Sequence, residues 1–596
     1  MVRIDTKYPL YKDGHPEKAA NDMDKADVFY NEPETRFDVL VKRVYDYFSS
    51  DGNSCVNLGI DKNLGKLPDL SDEAYVQDMK TGNELLQDLK SCPREGLTLD
   101  QKLDLDLATL MVEQQLFCTD LKYGGGDSSE KMPSAGYEIS DPIFTLFIID
   151  PRKSEERLDN ILERLQQVPS YLKESFGKLK NPVDRWVKME IEATTEVPDL
   201  YENILGWAKD QHYEKRKELE SAIIQANAAV AVYLNGLSTI QTSTDFCIGE
   251  EQAKRLLEVN GMELSMAELK EMAVSFLTKT NDQIEDVRKL LCQKYNLAPD
   301  TTSSQVQDFL NEKFQVKVEG EDFTPVLDYY LEEKKKVLEF IKKQDLFPIP
   351  ENQDFMIIRT PSFLEPTIPA GAMSPPQAFR KGIRKSLVYL TLSRELLVEH
   401  TGLSIGSMII HEGYGHHLQY SMGYDNPSIV RKFADFLDLA EGFATYNEGY
   451  FLEQEYMKEA LIESKFVTLR DFCRFGARVL IDLCFMTGNK AYLDAGFFEL
   501  TQGDLFENAE LLLQKLCGFS LERCEAEVNW YSQAPGYPLS YLAGNFLTYK
   551  LKSDMAQKTG LRGLDLDRKF HKAFLEAGCM PMSYLRKVFQ NQRLVD

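Results

Sequence analysis

Ser407–Gln419 reads SMIIHEGYGHHLQ, and Leu439–Glu448 follows with LAEGFATYNE. The chain holds seven histidines, and four of them fall between His400 and His417. Two histidines from one helix and a carboxylate from the next supply three protein ligands and leave a fourth position for water, which is the layout of a catalytic zinc. The expected ligands are His411, His416 and Glu441. Glu412, beside the first of them, sits where it can take a proton from that water. His411 and His416 are five residues apart, a spacing that an ideal α-helix turns by roughly 140°. Both reach one metal only if the helix takes up the extra residue as a π-type bulge. Gly413 and Gly415 lie in that turn, and glycine tolerates the backbone required. His417 is a further candidate, as a group behind the ligands, a substrate contact or an alternative ligand. Glu448 falls two helical turns after Glu441 on the same face, where it reads as a solvated carboxylate or as a support for a ligating histidine.

Outward from this centre, apolar residues recur at helical spacing almost everywhere. Phe37, Leu40, Val41, Val44 and Phe48 open the pattern, and a turn-rich break at Lys122–Pro133 (KYGGGDSSEKMP) interrupts it. Segments such as DPRKSEERLDNILERLQQV and TPVLDYYLEEKKKVLEFIKKQ carry it to Phe347, with Asp or Thr read as the helix start. Prolines punctuate the next stretch, which contains one short β-like run at Phe355–Thr360. The expected fold is therefore mainly α, with a small β-sheet near the active-site cleft. The expected organisation is an N-terminal arm over 1–25, a helical N-terminal and middle region over 26–347, and a catalytic metal-binding region over 348–596. Ile368–Met373 is placed along the cleft as an edge strand able to pair with an extended peptide. Arg380, Lys381, Arg384 and Lys385 are read either as a solvated helix face or as a receptor for a substrate carboxylate. His571 reads as a core-edge histidine.

Ninety-five acidic and 69 basic residues give a formal charge of −26. Such a field repels phosphate backbones, so nucleic acid is not expected as a partner. Nothing approaches an 18-residue apolar run, and the start, MVRIDTKYPLYKDGHPEKAA, lacks the apolar core of a secretory signal. Ten cysteines without a CxxC pair read as buried thiols of a reducing compartment, so a cytoplasmic protein is expected, with no membrane partner.

The sequence resembles the family called domain of unknown function 885, grouped with the gluzincin-like metallopeptidases. The phrases that carry the resemblance are GIDKNLGKLPDLSD (Gly59–Asp72), IPAGAMSPP (Ile368–Pro376), HEGYGHHLQ (His411–Gln419), EGFATYNE (Glu441–Glu448), PGYPLSYLAGNF (Pro535–Phe546) and CMPMSYLRKV (Cys579–Val588). The family's H-E-x-x-P-G-H-H lacks its proline here, and the resulting H-E-x-x-G-H is similar to the zinc motif of dipeptidyl-peptidase III. The resemblance implies a helical metallopeptidase scaffold, one zinc on His411, His416 and Glu441, and Glu412 as base. It also singles out Tyr537 and Tyr541, since a tetrahedral oxyanion needs a donor beside the metal. The expected activity is cleavage of peptide or amide bonds in short peptides or an amide-bearing metabolite. Two alternatives stay open: a non-hydrolytic iron or manganese enzyme on the same two histidines and carboxylate, and a non-catalytic peptide-binding protein.

Overall fold

Arg36–Phe48 shows how the helices arise: Phe37, Leu40, Val44 and Tyr47 fall on one buried face, and Thr35 and Asp38 cap the start reciprocally. The structure is a computed structural model, and it describes residues 35–368 and 370–596. The arm expected over 1–25 lies outside the described residues. The same logic scales up in the thirty-residue helix Met266–Tyr295. Ser265 and Glu268 form its capping box, and Asn296 ends it in the left-handed region at φ 54°. Two expected helix starts differ. Asp150 accepts the backbone N–H of Arg152 in the turn before Ser154–Lys178, and Thr324 is already inside its helix, followed by Pro325. The KYGGGDSSEKMP break becomes a two-residue hairpin, β1 (Lys122–Tyr123) with β2 (Gly126–Asp127), followed by one helical turn.

The proline-punctuated stretch builds a three-stranded sheet in the order β3 (Gln353–Arg359), β5 (Arg384–Leu390), β4 (Gly371–Ser374). β3 runs parallel to the central strand from Gln353↔Arg384 to Arg359↔Leu390, and β4 is antiparallel to it from Gly371↔Leu390 to Ser374↔Leu387. Ser386–Leu390 are buried, as the middle of a covered sheet must be. The molecule is thus mainly α with one small mixed sheet, and among the described residues no helix is long and apolar enough to cross a membrane.

Two hydrophobic clusters hold the chain together. The first joins the N-terminal helices to the sheet and to Ile409, Tyr414 and Phe443. The second is centred on Met266–Tyr295 and Leu461–Thr487 and includes Phe475, Leu539 and Tyr541. Each cluster draws residues from both sides of Pro348, so the helical middle and the metal-binding region share their cores. The tightest joint lies between the glutamate helix (Leu437–Glu453) and the tyrosine helix (Ser540–Thr559). A Cβ on Gly442 would stand 2.5 Å from the backbone of Gly544, and one on Gly544 would stand 2.0 Å from the carbonyl oxygen of Asp438. Backbone touches backbone there, and only glycine permits it. Gly544→Ala is therefore expected to cost about 1–3 kcal/mol or more by forcing the helices apart. Thermal unfolding measures this, and an unchanged Tm would show that the joint has slack.

Candidate metal centre

The first histidines sit on a helix in three parts: Ile405–Met408 is α, Ile409–His417 is π, and Leu418–Gly423 is α again. The N–H of Leu418 reaches back five residues to the carbonyl of Gly413. Residues five apart return to the same face in a π turn, so His411 and His416 aim at one place. The expected bulge is present. The glycines have a different purpose from the one their conformational freedom suggested, since neither has positive φ. A Cβ on Gly413 would press within 2.4 Å of the Phe355 ring, and one on Gly415 within 2.7 Å of Ala444 Cα. They are small because β3 and the glutamate helix lie against the widened turn.

His411, His416 and Glu441 converge, all buried, with one donor atom from each lying within 4.8 Å of the others. His411 Nε2 is 3.2 Å from His416 Nε2, and Glu441 Oε2 is 3.5 Å and 3.4 Å from these two nitrogens. A tetrahedral ion with bonds of ~2.0–2.1 Å sets its ligands about 3.3–3.4 Å apart. Glu441 Oε2 is buried and has no hydrogen-bond partner among the described residues. With Nδ1–H of His411 committed elsewhere, the facing nitrogens would set lone pair against lone pair unless a proton or a metal stood between them. The donor set therefore fits a divalent metal.

The supporting groups fix each ligand. Glu448 accepts from His411 Nδ1 at 2.8 Å and from the Ser407 hydroxyl at 2.8 Å, and Arg474 Nη2 lies 3.7 Å away. This carboxylate–histidine pair sets the tautomer and turns Nε2 to the centre. The Tyr537 hydroxyl donates to Glu441 Oε1 at 2.8 Å, leaving Oε2 as the oxygen that faces the histidines. Burial works to raise the Glu441 carboxyl, yet His416 and His411 hold it well below the usual range. Burial likewise pulls the His411 imidazole down, but Glu441 and Glu448 overcome it and push it up to about 10. The centre is rich in negative charge and answers with a proton where a cation would sit.

Glu412 is buried, lies outside the ligand triangle and lines the same cavity. Burial raises its carboxyl above the ordinary range, with His411 and His416 pulling the other way. Tyr541 also lines the cavity, its ring nearly parallel to that of His411 at 6.3 Å, and burial beside Glu441 keeps its hydroxyl protonated. The cavity is about 390 Å³ and is bounded on one side by Ala370, Gly371 and Ala372, next to and within the edge strand expected there.

Other expectations fare differently. His417 turns to the sheet, where Nδ1 meets the Ser386 hydroxyl at 2.7 Å and Nε2 meets Gln353 Oε1 at 2.6 Å. One residue past His416 in the widened turn, it points roughly 80° away with both ring nitrogens engaged, so it is not an alternative ligand. Arg380 pairs with Asp61 at 2.7 Å and Arg384 with Asp425 at 2.7 Å, and neither they nor Lys381 or Lys385 line the cavity. His571 is fully buried between Tyr446 and the carbonyl of Leu346, deeper than a core edge. Ser407, one turn before His411, had a helical signal that went unread. Arg474 and Arg478 had none, because their helix carries no motif.

The model of the family described as "Bacterial protein of unknown function (DUF885)" matches residues 54–588, so the chain belongs to that family. Two solved structures are similar over nearly their whole length. One is a candidate lipoprotein of unknown function from Shewanella oneidensis, with 17% identity, a TM-score of 0.69 and coverage of 94% of this chain and 100% of that one. The other is a candidate lipoprotein from Colwellia psychrerythraea, with 15% identity, a TM-score of 0.75 and coverage of 94% and 99%. At these identities the likeness shows the fold alone. No curated protein matches the chain.

Three outcomes test the centre. His411→Ala should strip most of the metal from a protein that still melts cooperatively, and full metal content by elemental analysis would refute the ligand set. Glu448→Gln should weaken metal binding by about 10–100-fold without abolishing it. With His411 protonated near pH 7, metal uptake should also release about one proton, seen as a buffer-dependent heat in calorimetry.

Proposed function

We propose that the chain is a metal-dependent hydrolase that cleaves peptide or amide bonds in short peptides or an amide-bearing metabolite. The observation that carries this reading is the convergence of His411, His416 and Glu441, with Glu412 lining the same cavity as His411. These three would hold zinc, which when bound supplies a Lewis acid for a carbonyl and lowers the pKa of a water. Glu412 is the group that takes the water's proton and passes it to the leaving nitrogen. Its raised carboxyl suits both halves of that task, since a base must also become an acid. Tyr541 keeps its proton and offers it as a hydrogen bond to the oxygen that gains charge. Tyr537 is spent on Glu441, so its contribution is to orient a ligand. The open side of β4 gives an extended peptide backbone something to pair with.

Iron or manganese would suit the same donors, and metal analysis of protein purified without added metal separates those readings. A buried, raised Glu412 beside the ligands has no purpose in a pure peptide binder, which supports an enzyme. The ten free thiols, eight of them buried, support a reducing, cytoplasmic setting.

The deciding variant is Glu412→Gln, which keeps shape but accepts no proton. It should retain the metal and lose turnover of a peptide library by roughly 10²–10⁴-fold. Retained turnover would remove Glu412 as the base, loss of metal would make it a ligand, and a wild-type protein that cleaves no member of the library would sink the hydrolase reading.

A further inference from the structure

The far wall of the cavity carries three arginines for which the chemistry above has no use. Arg474 and Arg478 lie one turn apart on Leu461–Thr487, and Arg523 comes from Leu521–Gln533. Arg523 is ringed by acids: it is paired with Glu399, 3.5 Å from Glu527 and 3.9 Å from Asp471. Arg478 is held differently. Its Nε donates to the Tyr531 hydroxyl at 2.8 Å and its Nη2 to Glu527 at 2.9 Å. The guanidinium lies 4.1 Å from the centroid of the Tyr541 ring and 5.3 Å from that of Trp530. Nη1 takes no hydrogen-bond partner among the described residues, although the residue is only 5% exposed and lines the cavity. Arg474 Nε and Arg523 Nε are likewise without a hydrogen-bond partner among the described residues, and they are fully buried, whereas Arg478 Nη1 is not among the fully buried unpartnered atoms and is left to the cavity.

The acceptors nearby are already engaged. Glu527 receives Arg478 and Tyr531, Glu448 receives His411 and Ser407, and Asp471 receives Arg474. Arg474 Nη2 stands 3.7 Å from Glu448, too far for a hydrogen bond. Unspent hydrogen-bonding capacity on this wall therefore includes guanidinium donors, next to the ring of Tyr541. A guanidinium is planar, fixed and permanently charged, and its natural complement is a carboxylate.

We propose that Arg478, with Arg474 beside it, receives a carboxylate of the substrate, so that the cavity selects short peptides or acylated amino acids with a carboxylate close to the bond that is cut. This rests on the hydrolase reading above and gives it a substrate class. A volume of about 390 Å³ suits such a small molecule. The carboxylate belongs either to the chain terminus or to an acidic side chain.

Four probes on the zinc-loaded Glu412→Gln protein test this by calorimetry: Ala-Phe, Ala-Phe amide, N-acetyl-Ala-Phe and Ala-Glu amide. The two free acids should bind alike, and Ala-Phe amide about 10–100-fold more weakly, the worth of one charge-assisted hydrogen bond. Recovery of affinity by Ala-Glu amide assigns the pole to a side-chain carboxylate, and its failure to recover assigns it to the terminus. Arg478→Gln should erase the difference between acid and amide. If that variant misfolds, the comparison of acid with amide on intact Arg478 still decides. Binding of Ala-Phe amide as tight as that of both Ala-Phe and Ala-Glu amide, loss of binding on acetylation instead, or no binding by any probe would each overturn the proposal. A wild-type protein that cleaves none of the probes while the preference for acids holds would sink the hydrolase reading and leave the carboxylate pole standing.

Discussion

Three helices meet in the middle of this protein at distances that leave no room for a methyl group. Gly415 of the π segment lies against Ala444 of the glutamate helix, and Gly442 of that helix lies against Gly544 of the tyrosine helix. These contacts fix the separation of the backbones rather than of flexible side chains, so they transmit position with little slack. His416 follows Gly415, Glu441 precedes Gly442, and Tyr541 is three residues before Gly544. The two ligands and the tyrosine thus take their places from the tightest joints in the structure, and the ligand triangle inherits its dimensions from them.

The electrostatics are equally constrained. Glu412, Glu441 and Glu448 are buried within one small region, a state that costs several kcal/mol per ion unless each finds a partner. Glu448 finds His411 and Ser407, and Glu441 finds Tyr537 on one oxygen. Glu441 Oε2 is left facing imidazoles, with no hydrogen-bond partner among the described residues. Around this lie Arg474, Arg478 and Arg523 with Asp471, Glu399 and Glu527, mostly buried and all lining the cavity. Such networks are poor sources of stability, since apolar packing of the same volume does as well. Their worth lies in holding charged groups at fixed positions before any substrate arrives.

How much of this was legible in the sequence depends on the range of the interaction. The mainly helical fold, the strand at Phe355–Thr360 and the bulge between Glu412 and His416 are written in local periodicity and spacing, and all three are present. The approach of Glu448 to His411 was readable because two turns on a helix preserve a face. The arginine wall was not, because Leu461–Thr487 reaches the cavity only through tertiary packing and its arginines follow no motif. The basic run Arg380–Lys385 stood out instead, yet Arg380 and Arg384 answer acids at Asp61 and Asp425, partners far off in sequence or beyond the site. The glycines of the motif were noticed, but the reason for them is a neighbour's ring and a neighbour's Cα, which one chain segment does not disclose.

The doublet His416–His417 shows how the two ranges combine. Adjacent residues of the widened turn point roughly 80° apart, so one histidine faces the donor triangle while the other turns from it. His417 is locked by Ser386 and Gln353 on two neighbouring strands, and Phe355, opposite Ser386 in register, packs against its ring at 5.4 Å. That grip fixes the rotation of the helix about its own axis at the point where the widened turn ends. Burial against the sheet holds the His417 imidazole neutral, at about 3, so the grip does not loosen as pH falls through the physiological range. The ligand role of His416 and the structural role of His417 are therefore one constraint seen from two sides. The sheet clamps the second histidine, and the clamp aims the first.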